Sequence, residues 1–188
     1  MAVVDRLTDE RARLERFARS LTDEELTLAV PGSTWTVKDF IVHVATLDTA
    51  YIGWFTALSG DSDSGSHRGS AGFDVDHFNE SAVAERRGRS VDAILDEAAT
   101  LRGRLISVME RLTDDQLDAT IRFGGDRKRP PVDLPLSQFL PGWACHDAIH
   151  IADMLKALPE RRNEPPIVAW LGRPDLAASI SSYQKAMG

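Results

Sequence analysis

The chain has 188 residues, a formal net charge of −7 and a sequence pI near 5.2. Hydrophobic residues make up 43% and charged residues 27%, which excludes a disordered chain and predicts one globular domain over residues 1–188. The acidic balance argues against a nucleic-acid partner, because phosphate binding requires a basic face.

The N-terminus and the cysteine content indicate the compartment. The opening residues carry a charge at Asp5 and lack the uninterrupted apolar segment of a signal peptide. No stretch reaches the roughly 18 apolar residues of a membrane span, so we expect a cytoplasmic protein without a membrane partner. Cys145 is the single cysteine, which excludes an internal disulfide and a cysteine-rich zinc site. Any metal must therefore be held by nitrogen and oxygen.

Two long amphipathic helices are predicted in the first third of the chain. The apolar stripe of the first consists of Leu7, Leu14, Phe17 and Leu21. Thr22 and Glu25 form a capping-box pair that predicts a short helix after it. Thr36 and Asp39 form a second pair, which opens an apolar run that predicts one helix to about Leu58.

The middle of the chain alternates between polar loops and helical patterns. Residues 59–72 are rich in Gly, Ser and Asp and predict a surface loop that contains His67. Residues 74–87 are helical in pattern, and Ser90 predicts the N-cap of a third long helix. Residues 113–135 are polar and broken by Gly and Pro pairs, which predicts a long irregular connection without a strand.

A fourth long helix is predicted from an N-cap at Ser137 to about Leu158. Pro141 lies near its start, where it is tolerated in the first turn or at a kink. Residues 165–187 predict two short helices. The elements together predict an all-α protein, a mainly antiparallel bundle of four long helices.

Three of the five histidines fall on core-facing positions of two predicted helices. His146 and His150 are four residues apart, so on a helix both can reach one cation. Their face also carries Phe139, Trp143 and Met154. His43 lies on the apolar face of the second helix, and a buried imidazole needs a hydrogen bond or a metal. The pattern predicts a divalent metal bound by His43, His146 and His150.

Simpler explanations exist for each part of this pattern. A lone histidine on an apolar helical face is more often a core residue, and the H-x-x-x-H spacing lacks the glutamate of H-E-x-x-H proteases. Three imidazoles suit Zn, Ni, Fe or Co and leave at least one position open. A metal-bound water can act as a nucleophile or base, and the same ion can stabilise a thiolate. The residues do not choose between these chemistries.

Further candidates surround the histidines. Asp39 and Asp147 are candidates for carboxylates behind the metal ligands, although a capping residue and a solvated helix charge are the simpler interpretations. Cys145 points about 100° away from His146 on a helix, which favours a packed core thiol over a nucleophile. Tyr51 lies two turns after His43 and is the candidate catalytic residue, with a hydroxyl that can orient substrate.

Arg127 and Arg129 lie at the tip of the connection between residues 113 and 135. They are the candidate cofactor-binding residues, because guanidinium groups bind the carboxylate of a thiol cofactor or substrate. A short charge run in a loop is more often simply solvated.

The residues 33–43, STWTVKDFIVH, resemble the DinB-like superfamily, whose second helix typically begins with W-T-V-K-D and reaches a metal histidine. Residues 143–150, WACHDAIH, resemble the H-x-x-x-H on the last bundle helix of that family. DHFNE at 76–80 and AERR at 84–87 are similar to its mycothiol-dependent maleylpyruvate isomerase branch. The resemblance extends over most of the chain.

The resemblance implies an up-down-down-up four-helix bundle with short extra helices at the C-terminus. It implies zinc or nickel on His43, His146 and His150, a homodimer, and a transferase or isomerase that uses mycothiol or a similar thiol on a small-molecule substrate. The maleylpyruvate isomerase branch has an extended C-terminal domain, whereas about 30 residues follow the last ligand helix here. A metal-dependent hydrolase is one alternative, and a non-catalytic helical module that sequesters a small ligand or partner is another.

Overall fold

A computed structural model describes residues 2–59, 74–123 and 130–187, most of which are helical. The helices are α1 (Ala2–Ser20), α2 (Asp23–Thr27), α3 (Val37–Thr46), α4 (Asp48–Leu58), α5 (Val75–Arg86), α6 (Val91–Met109), α7 (Asp114–Asp118), α8 (Leu136–Trp143), α9 (His146–Met154), α10 (Pro165–Leu171) and α11 (Pro174–Ala186). Two strands, β1 (Thr120–Phe123) and β2 (Val132–Pro135), precede α8, and a 3-10 turn, Arg161–Asn163, precedes α10.

Four helical columns form the bundle: α1, α3 with α4, α6, and α8 with α9. Both α1 and α3 pack against α6 and α9. This arrangement confirms the predicted all-α, up-down-down-up bundle, and α10 and α11 are the predicted extra helices at the C-terminus. Buried residues of these columns, among them Leu14, Ile41, Leu105 and Ile151, form the core.

The helix starts follow the capping pattern of the sequence. Thr22 and Glu25 make both hydrogen bonds of a capping box at α2, and Thr36 and Asp39 do the same at α3. The Ser90 side chain accepts from the backbone of α6. Each of these bonds satisfies an N–H group that the first helical turn leaves without a partner.

The second predicted helix is two helices that meet at Leu47. The hydroxyl of Thr46 donates to the carbonyl of Val42 at 2.9 Å, and such a bond to the preceding turn bends helices. Leu47 keeps helical backbone angles, so the direction of the column is preserved. Residues 37–58 are long and apolar enough to cross a membrane by length and composition alone, but half of their most apolar stretch is buried within the bundle.

The prediction of one continuous fourth helix from Ser137 is wrong. The N-cap is Pro135 and Ser137 lies inside α8, where Leu136 donates its N–H to Ala119. Pro141 lacks an N–H and weakens α8 from within. The column breaks at Ala144 and Cys145 and restarts at His146, so the predicted ligand pair occupies the first turns of α9.

The predicted irregular connection without a strand is also wrong. Thr113 and Gln116 form a capping box at α7, and β1 pairs with β2 in antiparallel register, with Ile121 opposite Leu134. Ile121 and Leu134 are buried, so the hairpin covers the end of the bundle near Phe139. Each strand has four residues, which is too short for an alternating pattern to stand out in the sequence.

Candidate metal centre

The three predicted histidines meet at one point between α3 and α9. His43 is buried, and His146 and His150 are partly buried one turn apart. The Nε2 atom of His150 lies 3.3 Å from that of His43 and 3.1 Å from that of His146. One ring nitrogen from each residue lies within 4.8 Å of the others. The structure therefore brings together the three side chains that the sequence selected.

The separations fit a shared ion. Two nitrogens bound about 2.05 Å from a tetrahedral ion lie roughly 3.3 Å apart. The Nδ1 atom of His150 lies 3.2 Å from a carboxylate oxygen of Asp153, which assigns the imidazole proton to Nδ1. The Nε2 lone pair of His150 then faces the other two rings, as a metal ligand requires.

Burial keeps His43 in the form that can bind a metal. Burial lowers the pKa of His43 well below 6.5, and the neighbouring His150 lowers it further. The Asn79 amide opposes this shift, although its carbonyl oxygen has no hydrogen-bond partner of normal length among the described residues. His43 is therefore neutral at pH 7, and neutral imidazole is the ligand form.

Asp153 is the carboxylate behind the histidines that the sequence reasoning missed. Burial alone would raise its pKa, but hydrogen bonds from His150 and Lys156 lower the pKa of Asp153 to about 2. Lys156 donates to its other oxygen at 2.6 Å. The spacing of three residues from His150 on a helix was the available signal.

The two carboxylates proposed for that role have other partners. Asp39 caps α3, as the simpler interpretation predicted, and also accepts from Arg87 at 3.0 Å. Asp147 is 3% exposed and accepts from Arg11 at 2.9 Å, so its interpretation as a solvated helix charge is wrong.

Asp147 belongs to a buried ion cluster of Arg11, Asp48, Arg102 and Asp147. Arg102 donates to both oxygens of Asp48 at 2.7 and 3.1 Å. Arg102 also donates to the Leu7 carbonyl at 2.7 Å. The two positive and two negative side chains come from α1, α4, α6 and α9, so the cluster joins the four columns beside His146.

The histidines line a cavity of about 540 Å³, called the histidine cavity below. The Trp35 ring lies 5.1 Å from that of His43, and Phe40 lies 5.5 Å from His150, centroid to centroid. Tyr51, the candidate catalytic residue, lines the same cavity. The cavity wall therefore combines aromatic rings with the polar histidine side chains, as ligand-binding pockets do.

Tyr183 of α11 also lines this cavity and was missed by the sequence reasoning. A β-carbon on Gly142 would lie 2.1 Å from the β-carbon of Tyr183, so glycine alone permits α11 to approach α8 this closely. A distant helix contact of this kind leaves no local pattern in the sequence.

The remaining candidates lie away from the histidines or outside the described residues. Cys145 is buried and its sulfur accepts from Arg6 at 3.4 Å; burial raises its pKa, as expected of a packed thiol. His77 is exposed on α5. His67, Arg127 and Arg129 lie outside the described residues.

The model of the DinB superfamily matches residues 6–154, which include all three histidines. The chain belongs to the DinB superfamily. Similar solved structures include crystal structures of the mycothiol-dependent maleylpyruvate isomerase and of an alanine mutant of that enzyme. Their sequence identities are 14% and 13% and their TM-scores are 0.61 and 0.60. No curated protein sequence matches the chain.

The alignment with these DinB-fold structures covers 81% of this chain and 59% of each of theirs. At such identities the likeness establishes the fold. The chain spans less than two thirds of these relatives, so their activity and substrate enter below as proposals only.

Proposed function

We propose that His43, His146 and His150 hold one divalent transition metal ion, zinc or nickel. The observation that carries the proposal is the convergence of three Nε2 atoms at the wall of a cavity. Imidazole nitrogen suits both ions, and three protein ligands leave a position for water or substrate. The hydrogen bond from His150 to Asp153 and the neutral state of His43 support the same assignment.

The proposed enzyme acts on a small molecule in the histidine cavity. When bound, the ion would stabilise a thiolate or lower the pKa of a water molecule. Asp153 fixes the tautomer of His150, the Trp35 and Phe40 rings pack beside His43 and His150, and the Tyr51 hydroxyl orients the substrate.

Among metal-dependent reactions we favour an S-transferase or isomerase that uses mycothiol or a similar low-molecular-weight thiol. The DinB fold, shared with a mycothiol-dependent isomerase, supports this choice. Hydrolysis by a metal-bound water is the competing reaction. Arg127 and Arg129 remain candidates for binding the thiol, and we expect a cytoplasmic homodimer.

A non-catalytic module that sequesters a small ligand is the second candidate. The cavity volume of about 540 Å³ and its aromatic lining favour it, because binding pockets share these properties. A binding module has little need of three convergent histidines, so we rank this candidate second.

Metal analysis of protein purified without a histidine tag tests the site. We expect close to one equivalent of zinc or nickel, and a rise in melting temperature when either ion is added to metal-free protein. His150→Ala should lose both, and His77→Ala, which removes an exposed histidine outside the cavity, should lose neither. Less than about 0.2 equivalents together with no thermal shift would contradict the metal site.

Thiol-dependent turnover tests the reaction. Metal-loaded protein is mixed with a panel of small electrophiles, with and without mycothiol, and both the conversion of each electrophile and the loss of free thiol are followed. We expect a rate that requires both metal and thiol and disappears in His146→Ala. Turnover that needs metal but no thiol would favour the hydrolase, and metal binding without turnover would favour the sequestering module.

A further inference from the structure

The histidine cavity is closed on one side by a tyrosine from the C-terminal helix. Tyr183 of α11 lines the cavity, although the residue is only 8% exposed. Most of its ring therefore lies behind the cavity wall, where it packs against the buried Phe139 with ring centroids 5.7 Å apart. A ring in this position occupies space that would otherwise extend the cavity towards α8.

The Tyr183 ring has no room to move towards α8, because α11 lies directly on that helix. A β-carbon on Gly142 would lie 2.1 Å from the β-carbon of Tyr183 and 2.8 Å from its Cγ atom. Any side chain at position 142 would clash with the tyrosine, so only glycine permits this contact. The ring is thus a rigid part of the cavity wall, with Phe139 and the α8 backbone behind it.

Polar contacts with α1 hold the two C-terminal helices in place. Glu10 is 0% exposed and accepts hydrogen bonds from the Trp170 indole and from Arg173, both at 2.6 Å. Arg6, one turn earlier on α1, donates to Ser179 of α11 at 2.7 Å. Hydrogen bonds that involve a charged group are among the stronger ones in proteins. These contacts fix α11 against the bundle, so the wall that α11 supplies is preformed.

The match with the DinB superfamily ends at residue 154 and does not include α11. The family likeness therefore assigns no role to Tyr183. We propose that Tyr183 is a specificity-determining residue, which sets the depth of the histidine cavity and restricts it to compact substrates without an aromatic ring. This inference rests on the proposed function, because it requires a small molecule that binds beside the metal.

Shortening Tyr183 tests the proposal, since it should open a pocket between the histidine cavity and α8. In Tyr183→Ala the vacated space is lined by Phe139 and by the backbone of Gly142. Apolar cavities made by such truncations bind small aromatic molecules. An aromatic group attached to a metal-bound ligand should therefore gain affinity in the variant.

Three thiols that differ in their apolar group serve as probes: 2-mercaptoethanol, benzyl mercaptan and 2-phenylethanethiol. Each is titrated into cobalt-substituted protein, and binding is read from the sulfur-to-cobalt charge-transfer absorption. The informative quantity is the affinity of an aromatic thiol divided by that of 2-mercaptoethanol, because this ratio cancels a change in the metal site itself. The two aromatic thiols differ by one methylene group and so reach different depths.

We expect this ratio to rise about tenfold in Tyr183→Ala for at least one aromatic thiol. Tyr183→Leu keeps part of the packing against Phe139 and should preserve the fold, with a rise of about threefold. Tyr183→Phe keeps the ring and should stay within about twofold of the wild type. Leu176→Ala is the matched control, because it shortens a buried residue of α11 that does not line the cavity, and its ratio should also stay within about twofold.

An unchanged or lower ratio for both aromatic thiols in Tyr183→Ala and Tyr183→Leu would overturn the proposal, even if cobalt and all three thiols bind. An equal rise in Tyr183→Phe or Leu176→Ala would also overturn it, because loss of the hydroxyl group or loosening of α11 would then be the cause. If Tyr183→Ala does not fold, Tyr183→Leu decides alone. Wild-type protein that binds no cobalt would instead contradict the metal site on which the proposal rests.

Discussion

Two polar clusters lie side by side in this bundle, and only one of them balances its own charges. In the ion cluster, the guanidinium groups of Arg11 and Arg102 lie against the carboxylates of Asp48 and Asp147. In the histidine cluster, three groups of the same kind face one another, and burial keeps His43 uncharged. The ion cluster supplies its own counter-charges, whereas the histidines present lone pairs that a cation would satisfy.

Breaking the ion cluster should have the largest effect on stability. Asp48→Ala leaves the buried Arg102 without its two-point partner, and we expect a loss of about 3–5 kcal/mol in the free energy of unfolding. Urea unfolding followed by circular dichroism measures this loss.

Asp92→Ala is the control for that measurement, because Asp92 is 73% exposed and pairs with Arg19 at the surface. Its loss should stay below about 1 kcal/mol. If Asp48→Ala also lost less than about 1 kcal/mol in the free energy of unfolding, the buried ion pairs would not stabilise the fold more than a surface pair does.

Replacing a metal-ligand histidine should change the stability of metal-free protein little and should remove the stabilisation by zinc. In metal-free protein, His43→Leu keeps a buried side chain of similar size, so we expect a change in unfolding free energy below about 1 kcal/mol. Zinc at a hundredfold excess over its Kd should stabilise the wild type by about 2.7 kcal/mol and His43→Leu by far less.

His77→Leu, at an exposed site, should keep the full zinc response. A large loss of stability in metal-free His43→Leu would mean that the histidine cluster serves the fold, as the ion cluster does.

Asp153 should affect metal affinity more than stability. Asp153→Asn removes the carboxylate that orients His150, and we expect metal affinity to fall about 10–100-fold. Competition with a metal chelator measures the affinity. Lys156→Met removes the other partner of Asp153 and keeps the contact with His150, so its affinity should stay within about threefold. Equal losses in the two variants would contradict the proposed role of Asp153.

The contrast between the clusters also explains what the sequence could reveal. Helix caps such as Thr36 with Asp39, and the His146 and His150 pair, depend on spacings of three or four residues, which are visible in a single sequence. The ion cluster joins four elements, and each of its members resembles an ordinary surface charge within its own helix. Asp147 was misread for this reason.

Other features that depend on contacts between distant parts of the chain could not be predicted from the sequence either. The sequence contains Pro141 but does not reveal that α8 ends at Trp143 and α9 begins at His146, and the approach of Tyr183 depends on Gly142, which is 41 residues away in the chain. The β1–β2 hairpin is stabilised by burial against the bundle, which no local pattern reports. Spacing along the chain was enough to locate the histidines, whereas the residues that surround them in space could be found only from the fold.

The last effect we predict is the pH dependence of the stability of metal-free protein. Because the pKa of His43 is lowered in the folded state, its neutral form favours folding above pH 6.5, the unfolded value, and this stability is lost as the pH falls. Below pH 6.5 the slope contributed by His43 should approach about 1.4 kcal/mol per pH unit. Urea unfolding between pH 7.5 and 5 measures it, and His43→Leu should lack this part of the slope.

Asp153 affects folding stability in a different pH range from His43. Its pKa is lowered from 3.8 to about 2, so its contribution is complete above pH 3.8 and is lost as the pH falls towards 2. The pH ranges of His43 and Asp153 do not overlap, so the part of the slope between pH 6.5 and 5 that His43→Leu removes reports on His43. If His43→Leu kept the whole slope of unfolding free energy against pH, burial of His43 would not be the source of that slope. The histidine cluster would then not differ from the ion cluster in holding an uncharged buried group.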